Sequence, residues 1–189
     1  MKQTPSQTVG PFFAFGLIRK GENILVSEET QGDRIRIEGR VFDGAGEPVP
    51  DAMIEIWQAN AYGRYNHPED KQEKPLDPRF TGFGRAGTDE NGVYWFETIK
   101  PGPVPGSGDS LQAPHIQVIV FARGMLLHAF TRIYFEDEPA NTLDPILSQI
   151  EDKARRATLI ARRENGGGKI VYRFDIRLQG ENETVFFDM

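Results

Sequence analysis

The chain has 189 residues and a formal net charge of −6, a length that suits one domain with its own core. This acidic balance argues against nucleic acid or an anionic membrane as partner, and the absence of cysteine excludes disulfides and thiolate chemistry. No signal pattern opens the sequence and no apolar run could cross a bilayer, so we expect a cytoplasmic protein.

The first 33 residues carry little strand pattern, and we interpret them as an N-terminal arm that packs on a partner chain. A single domain is then expected over residues 34–189. Its first strand covers residues 34–41, where apolar side chains alternate with charged ones, as in a half-buried strand. Further strands are predicted over residues 52–58, 93–98, 115–122, 125–135 and 171–178.

Glycine-containing turns separate these strands, at residues 43–46, 89–92 and 166–168. Seven or so short strands with such turns predict an all-β fold, an antiparallel β-sandwich with long loops. The longest loop, residues 59–85, has the length of a functional or partner-contacting segment.

One short helix is predicted between the strands. Asp144 can cap its N-terminus, and Pro145 suits its first turn. Ile146, Leu147 and Ile150 would then form its apolar stripe.

The stretch His115-Ile116-Gln117 resembles half of a metal site. Residues two apart in a strand point to the same side, so the Gln117 amide lies where a second imidazole would complete a metal-binding pair. An amide does not replace imidazole as a ligand for a transition metal. The stretch therefore indicates a site that has lost its metal chemistry.

Ten ordered motifs resemble the intradiol ring-cleaving dioxygenases, from about residue 4 to the C-terminus. The matching runs are TPSQTVGPF at 4–12, IWQANAYGRY at 56–65, FTGFGR at 80–85, TIKPG at 98–102, APHI at 113–116, FARG at 121–124, TRIYF at 131–135, TLIA at 158–161, YRFDIRLQG at 172–180 and ETVFFD at 183–188. The resemblance implies an intradiol dioxygenase-like sandwich.

In catalytic members of that family, two tyrosinates and two imidazoles hold one Fe(III). Carried over by motif, the four positions fall on Tyr65, Val104, His115 and Gln117. Only Tyr65 and His115 keep a donor, and a remnant of two ligands should bind iron poorly. We therefore expect no metal in this chain. Tyr65 and His115 would then be structural side chains with hydrogen-bonding partners of their own.

The resemblance also implies a higher-order alpha–beta heteromer whose beta chain holds the Fe(III), while this chain completes the substrate pocket. The implied substrates are O₂ and 3,4-dihydroxybenzoate, whose carboxylate would point away from the metal. Arginine suits a carboxylate because its planar fork grips both oxygens. Arg123, in the intact FARG motif, is the first candidate for that contact. Arg132 is either a second pocket cation or an interface ion-pair partner.

The N-terminal arm is the other candidate for substrate contact. Thr8, Gly10, Pro11 and Phe12 resemble the family segment that reaches over a partner's site. Gly10 permits close backbone approach and Pro11 stiffens the segment. Phe12 stands where a tyrosine is common and supplies no hydroxyl. The competing interpretation is an arm packed on its own domain.

Two other hypotheses remain open for the chain as a whole. In one, water or another side chain completes a non-standard iron site within this chain. In the other, the chain is a non-catalytic scaffold that stabilises its iron-bearing partner without touching substrate.

Overall fold

Eleven strands dominate the computed structural model, which describes residues 16–166 and 168–188. The strands are β1 (Arg34–Phe42), β2 (Met53–Trp57), β3 (Phe83–Gly87), β4 (Val93–Ile99), β5 (Val104–Pro105), β6 (Leu111–Gln112), β7 (His115–Phe121), β8 (Ala129–Phe135), β9 (Ile160–Gly166), β10 (Lys169–Arg173) and β11 (Ile176–Arg177). The predicted all-β class is confirmed.

The strands form two layers that share a core. One layer runs β4-β1-β10-β9, with β11 beside the end of β1, and the other runs β3-β2-β7-β8. A two-residue pairing of β8 with β9, Tyr134 to Ile160 and Phe135 to Ala161, joins the layers. This is the predicted sandwich.

The strand pairing is mixed, whereas the sequence predicted an antiparallel arrangement. β1 pairs in parallel with β10 and β11, and β8 pairs in parallel with β9. Residues 136–159 separate β8 from β9, a connection long enough for a parallel crossover. Turn chemistry constrains only strands that are adjacent in sequence, so it could not reveal these pairings.

The core fills the space between the layers with the inward residues of each strand. Ile35, Ile37 and Val41 of β1 are buried as their alternation predicts. The Tyr94 hydroxyl is also buried, and it donates a 2.6 Å hydrogen bond to the Phe174 carbonyl oxygen. That bond removes the cost of burying a polar group.

Two strand predictions change at their ends. The strand predicted from residue 125 begins only at Ala129, because residues 125–128 form a loop in which Leu126 and Leu127 are each 66% exposed. The strand predicted over 171–178 is interrupted after Arg173 and continues as β11. The turn at residues 89–92 connects β3 to β4, which lie in different layers.

The predicted helix is a 3-10 turn, Leu147–Gln149. Asp144 does act as a cap, accepting hydrogen bonds from the amides of Ile146 (2.9 Å) and Leu147 (2.8 Å). Ile150 is extended and ends the turn, so the three apolar residues never form a helical stripe. Leu147 is buried in a satellite cluster, and this packing overrides the helical pattern.

A second 3-10 helix spans Pro139–Leu143, and the α-helix α1 is Lys153–Ala157, capped by Asp152. The helix predicted after Asp144 is therefore wrong as an α-helix, and α1 is a separate element that the sequence analysis did not predict. No helix in the described ranges is long and apolar enough to cross a membrane.

The described part of the arm lies along this chain's own sheet edges. The Leu25 amide donates to the Glu97 carbonyl oxygen at 2.8 Å, and the Glu97 amide donates to the Asn23 carbonyl oxygen at 2.9 Å. Arg85 Nη1 also donates to the Leu17 carbonyl oxygen at 2.9 Å. Packing of the arm on a partner chain stays a prediction.

Candidate functional site

A cavity of about 520 Å³ opens where β2 and β7 meet the long loop of residues 59–82. All four positions assigned to the lost iron site lie in its wall: Tyr65, Val104, His115 and Gln117. Gln117 faces Trp57 across the β2–β7 pairing, so the strand register brings this aromatic ring to the same site. The structure thus brings the four remnant positions together in one cavity.

His115 is a buried, neutral imidazole. It is 3% exposed, and its Nδ1 lies 2.8 Å from the Ala113 carbonyl oxygen. A carbonyl can only accept, so Nδ1 carries the proton and Nε2 keeps its lone pair. Burial, with the charge of Arg132 as a second cause, lowers the pKa of His115 from 6.5 to about 4.

Tyr65 is a protonated phenol. Burial raises its pKa, while a hydrogen bond with Gln117 and the charge of Arg132 oppose that shift. Its ring stacks on Trp57, with centroids 5.8 Å apart and planes at 13°. The Tyr65 amide also donates to Asp70 Oδ2 at 2.8 Å, which fixes the loop that carries the ring.

These residues do not fit a ferric ion. Val104 is 5% exposed and offers no donor atom, and Gln117 supplies only an amide. Within residues 16–166 and 168–188, no three histidine, aspartate or glutamate side chains form a cluster that could hold a metal of another kind.

Arg132 brings a cation to this pocket. It lies on β8 directly opposite Gln117 of β7, and its side chain lines the cavity. Its Nη1 donates to Gln112 Oε1 at 2.6 Å and to the Tyr134 hydroxyl at 3.4 Å. The Tyr134 hydroxyl donates in turn to Asp144 Oδ1 at 3.2 Å. A fixed chain of hydrogen bonds therefore holds the guanidinium in place.

Arg123 lies beyond the other end of β7. The strand is about 20 Å long at 3.3 Å per residue, and Arg123 follows its last residue by two positions. The Arg123 side chain is 67% exposed and forms an ion pair with Asp51, with Nε and Oδ2 2.7 Å apart. The structure therefore does not bring Arg123 and Arg132 to one site.

The arm residues predicted to touch substrate, Thr8, Gly10, Pro11 and Phe12, lie outside the described residues. Sequence reasoning missed several other residues of the pocket wall. Trp57, His67, Asp70, Gln72 and Gln112 all line it. The position of Trp57 opposite Gln117 follows from strand pairing, which no single-strand pattern reveals.

Comparison with known proteins assigns this chain to a family. The sequence model described as Dioxygenase matches residues 9–180. The chain belongs to the intradiol dioxygenase family. These enzymes are oxidoreductases that use non-haem iron.

Two relatives from Burkholderia cepacia are similar over most of the chain. The protocatechuate 3,4-dioxygenase alpha chain is 45% identical, covering 100% of this chain and 98% of the relative. The corresponding beta chain is 40% identical, covering 86% of this chain and 72% of the relative. The similarity to the alpha chain is therefore the more complete of the two.

A solved structure confirms the fold. The dioxygenase domain of a dioxygenase carbohydrate-binding protein fusion from Streptomyces sp. SirexAA-E superposes with a TM-score of 0.65 at 27% identity. The match covers 95% of this chain and 99% of that domain.

Proposed function

We propose that this chain is the alpha subunit of a protocatechuate 3,4-dioxygenase, and that a homologous beta chain holds the catalytic Fe(III). The assembled enzyme would insert both atoms of O₂ into 3,4-dihydroxybenzoate, cleaving the ring between its hydroxylated carbons to give 3-carboxy-cis,cis-muconate. Full-length similarity to an alpha chain, combined with two missing iron ligands, is the observation that carries the proposal.

In this proposal Arg123 binds the substrate carboxylate in the partner's pocket. Its guanidinium is largely exposed, and an exposed pair such as that with Asp51 is weak enough to exchange for a better partner. The neighbouring Leu126 and Leu127 are each 66% exposed, and apolar side chains of that kind favour burial against another chain. A loop that combines these features suits a subunit interface.

The arm segment with Thr8, Gly10, Pro11 and Phe12 is proposed to wall the same partner pocket. Arg132 lies opposite Gln117 near the start of β7 and lines this chain's own cavity, so the proposal does not include it in the partner's pocket. The complex is proposed to be cytoplasmic and to contain several alpha–beta units. Its subunit composition can be measured by native mass spectrometry of the coexpressed chains.

The Arg123 assignment is tested by the Arg123→Ala variant in the coexpressed complex. Loss of a charge-assisted, bidentate contact should raise KM for 3,4-dihydroxybenzoate by about 10- to 100-fold. Iron content and assembly should stay unchanged. Arg40→Ala, which removes an exposed arginine from β1, is the matched control. An unchanged KM for Arg123→Ala would remove this residue from the substrate site.

The same variants test the competing functions. If changes at Arg123 and in the arm alter assembly but leave KM unchanged, the chain is a scaffold for its partner. If the chain purified alone contains iron and shows the visible absorption of a tyrosinate–iron complex, it has a site of its own. We expect an iron-free, colourless chain.

A further inference from the structure

The cavity lined by Tyr65, Val104, His115 and Gln117 remains open, although only two of these four residues could donate to a metal. Its volume of about 520 Å³ is that of sites that take small organic molecules, which span roughly 300–1,000 Å³. A site that had only lost its function would be free to fill with side chains. This one keeps a cation, an aromatic wall and several amides around open space.

Arg132 supplies the pocket with a positive charge that no described carboxylate pairs with directly. Among the described residues no carboxylate lies within 4 Å of its guanidinium, which bonds only to the neutral Gln112 and Tyr134 side chains. Asp144 is one hydrogen bond further away, and it is engaged by the amides of Ala113 and Leu147, each at 2.8 Å. A partly buried charge of this kind favours an anionic ligand.

Asp70 is the one carboxylate in the pocket wall, and its oxygens are already used. Oδ2 accepts from the Tyr65 amide at 2.8 Å and from Gln72 Nε2 at 3.0 Å, and Oδ1 accepts from the Gln72 amide at 3.0 Å. These bonds tie Asp70 to the loop that it stabilises. Repulsion between Asp70 and an anion favours a ligand with one negative charge over one with several.

The remaining walls suit a flat ring. Trp57 and Tyr65 are stacked at the pocket, and Val104 presents an aliphatic surface in place of a tyrosine. Aromatic faces and aliphatic groups stabilise a planar apolar body, while the Gln117 amide can bond to a ring substituent. The positive charge of Arg132 and the aromatic and aliphatic walls together favour a ligand with a planar ring and one carboxylate.

We propose that this pocket binds one small aromatic monocarboxylate, of the benzoate class, without metal, and that the Arg132 guanidinium grips its carboxylate. The described residues that line the site all come from this chain, and Arg123 is not among them. The inference therefore goes beyond the proposed function and does not depend on it. Both the enzyme's own substrate and other benzoates have this chemistry.

Isothermal titration of the purified protein, with its partner chain where the two copurify, tests the proposal. Benzoate is the first probe, because it lacks the adjacent hydroxyls that chelate iron. We expect one benzoate site per copy of this chain in addition to any site of the partner. Arg132→Gln should weaken that site by about 10- to 100-fold. Arg40→Gln is the control and should leave both affinity and stoichiometry unchanged.

A second variant keeps the test decisive if Arg132→Gln fails to fold. Val104→Phe retains the cation but places a bulky ring in the cavity wall, and it should weaken benzoate binding at the same site. Iron content and KM for 3,4-dihydroxybenzoate should stay unchanged in both variants, which separates this pocket from the catalytic one. A benzoate stoichiometry that neither variant reduces would overturn the proposal.

Three further probes test the ligand class. Benzamide has the ring without the charge, and cyclohexanecarboxylate has the charge without the aromatic face. We expect each to bind at least 10-fold more weakly than benzoate. Equal binding of benzamide would overturn the role of Arg132, and equal binding of cyclohexanecarboxylate would overturn that of the aromatic wall. With 3,4-dihydroxybenzoate, occupancy of this same site would identify the enzyme's substrate as its ligand.

Discussion

The two ends of β7 differ in almost every physical property. At the start of the strand, His115 is 3% exposed beside a cavity, and its Nδ1 is held by the Ala113 carbonyl oxygen. Beyond the end of the strand, Arg123 is 67% exposed in a loop with two exposed leucines. The described walls of the cavity come from this chain, whereas the Arg123 loop is proposed to act against a partner chain.

This contrast explains how a chain can retain a family's pocket while its proposed function lies elsewhere. Burial fixes the frame of the pocket, because removing any of its packed residues would cost stability. The Arg123 loop exposes Arg123, Leu126 and Leu127 on its outer side, where a partner can reach them. The following predictions test the contrast, beginning with the largest expected effect.

Glycines on the two sides should respond differently to the same change. Gly63, near the pocket, and Gly124, beside Arg123, both have left-handed backbones, with φ of 77° and 81°. A Cβ at Gly63 would overlap the Pro103 carbonyl oxygen, whereas one at Gly124 would have no described, non-neighbouring heavy atom within 4 Å. Gly63→Ala should cost about 3 kcal/mol or more, and Gly124→Ala about 1 kcal/mol.

Urea denaturation of both variants measures this difference in the free energy of unfolding. Equal losses of unfolding free energy in the two variants would mean that the loop around Gly63 accommodates a Cβ as easily as the Arg123 loop does.

The pocket should also make stability depend on pH through His115. Its pKa is about 4 when folded and 6.5 when unfolded, so the unfolded chain binds more protons between these values. The free energy of unfolding should therefore rise with pH from 4 to 6.5, by about 3 kcal/mol from this group, and stay level above.

Comparison of His115→Gln with wild type across this range isolates the contribution, because carboxylates titrate in both proteins. His128→Gln removes an exposed histidine near Arg123 and should retain the wild-type slope. An unchanged slope in His115→Gln would show that the imidazole is not held neutral by burial.

The smallest effect is expected for the ion pair beside the Arg123 loop. Asp51→Asn should change the free energy of unfolding by less than about 1 kcal/mol, because both partners are solvent-exposed. In the coexpressed complex it should not raise KM, since the pair would be replaced by substrate. A stability loss comparable to that of Gly63→Ala would place the Arg123 loop among the rigid parts of the molecule.

Local sequence patterns predicted several structural elements correctly. Alternation identified β1, because a half-buried strand imposes a period of two on its residues. The capping role of Asp144 was also predicted correctly, but the helix after it was not, since Leu147 packs into a cluster formed by distant residues. Strand signals failed at residues 125–128, where apolar side chains lie in an exposed loop.

The sequence by itself determined the family, the sandwich and the loss of two iron donors, because each depends on which residue types stand at which positions in a motif. Only the tertiary structure decided that Arg132 lines the remnant pocket and that Arg123 lies beyond the far end of β7. Both arginines follow apolar stretches and look alike in the sequence. Their separation arises from the β7–β8 register, which places Arg132 opposite Gln117 and leaves Arg123 in the loop that connects the two strands.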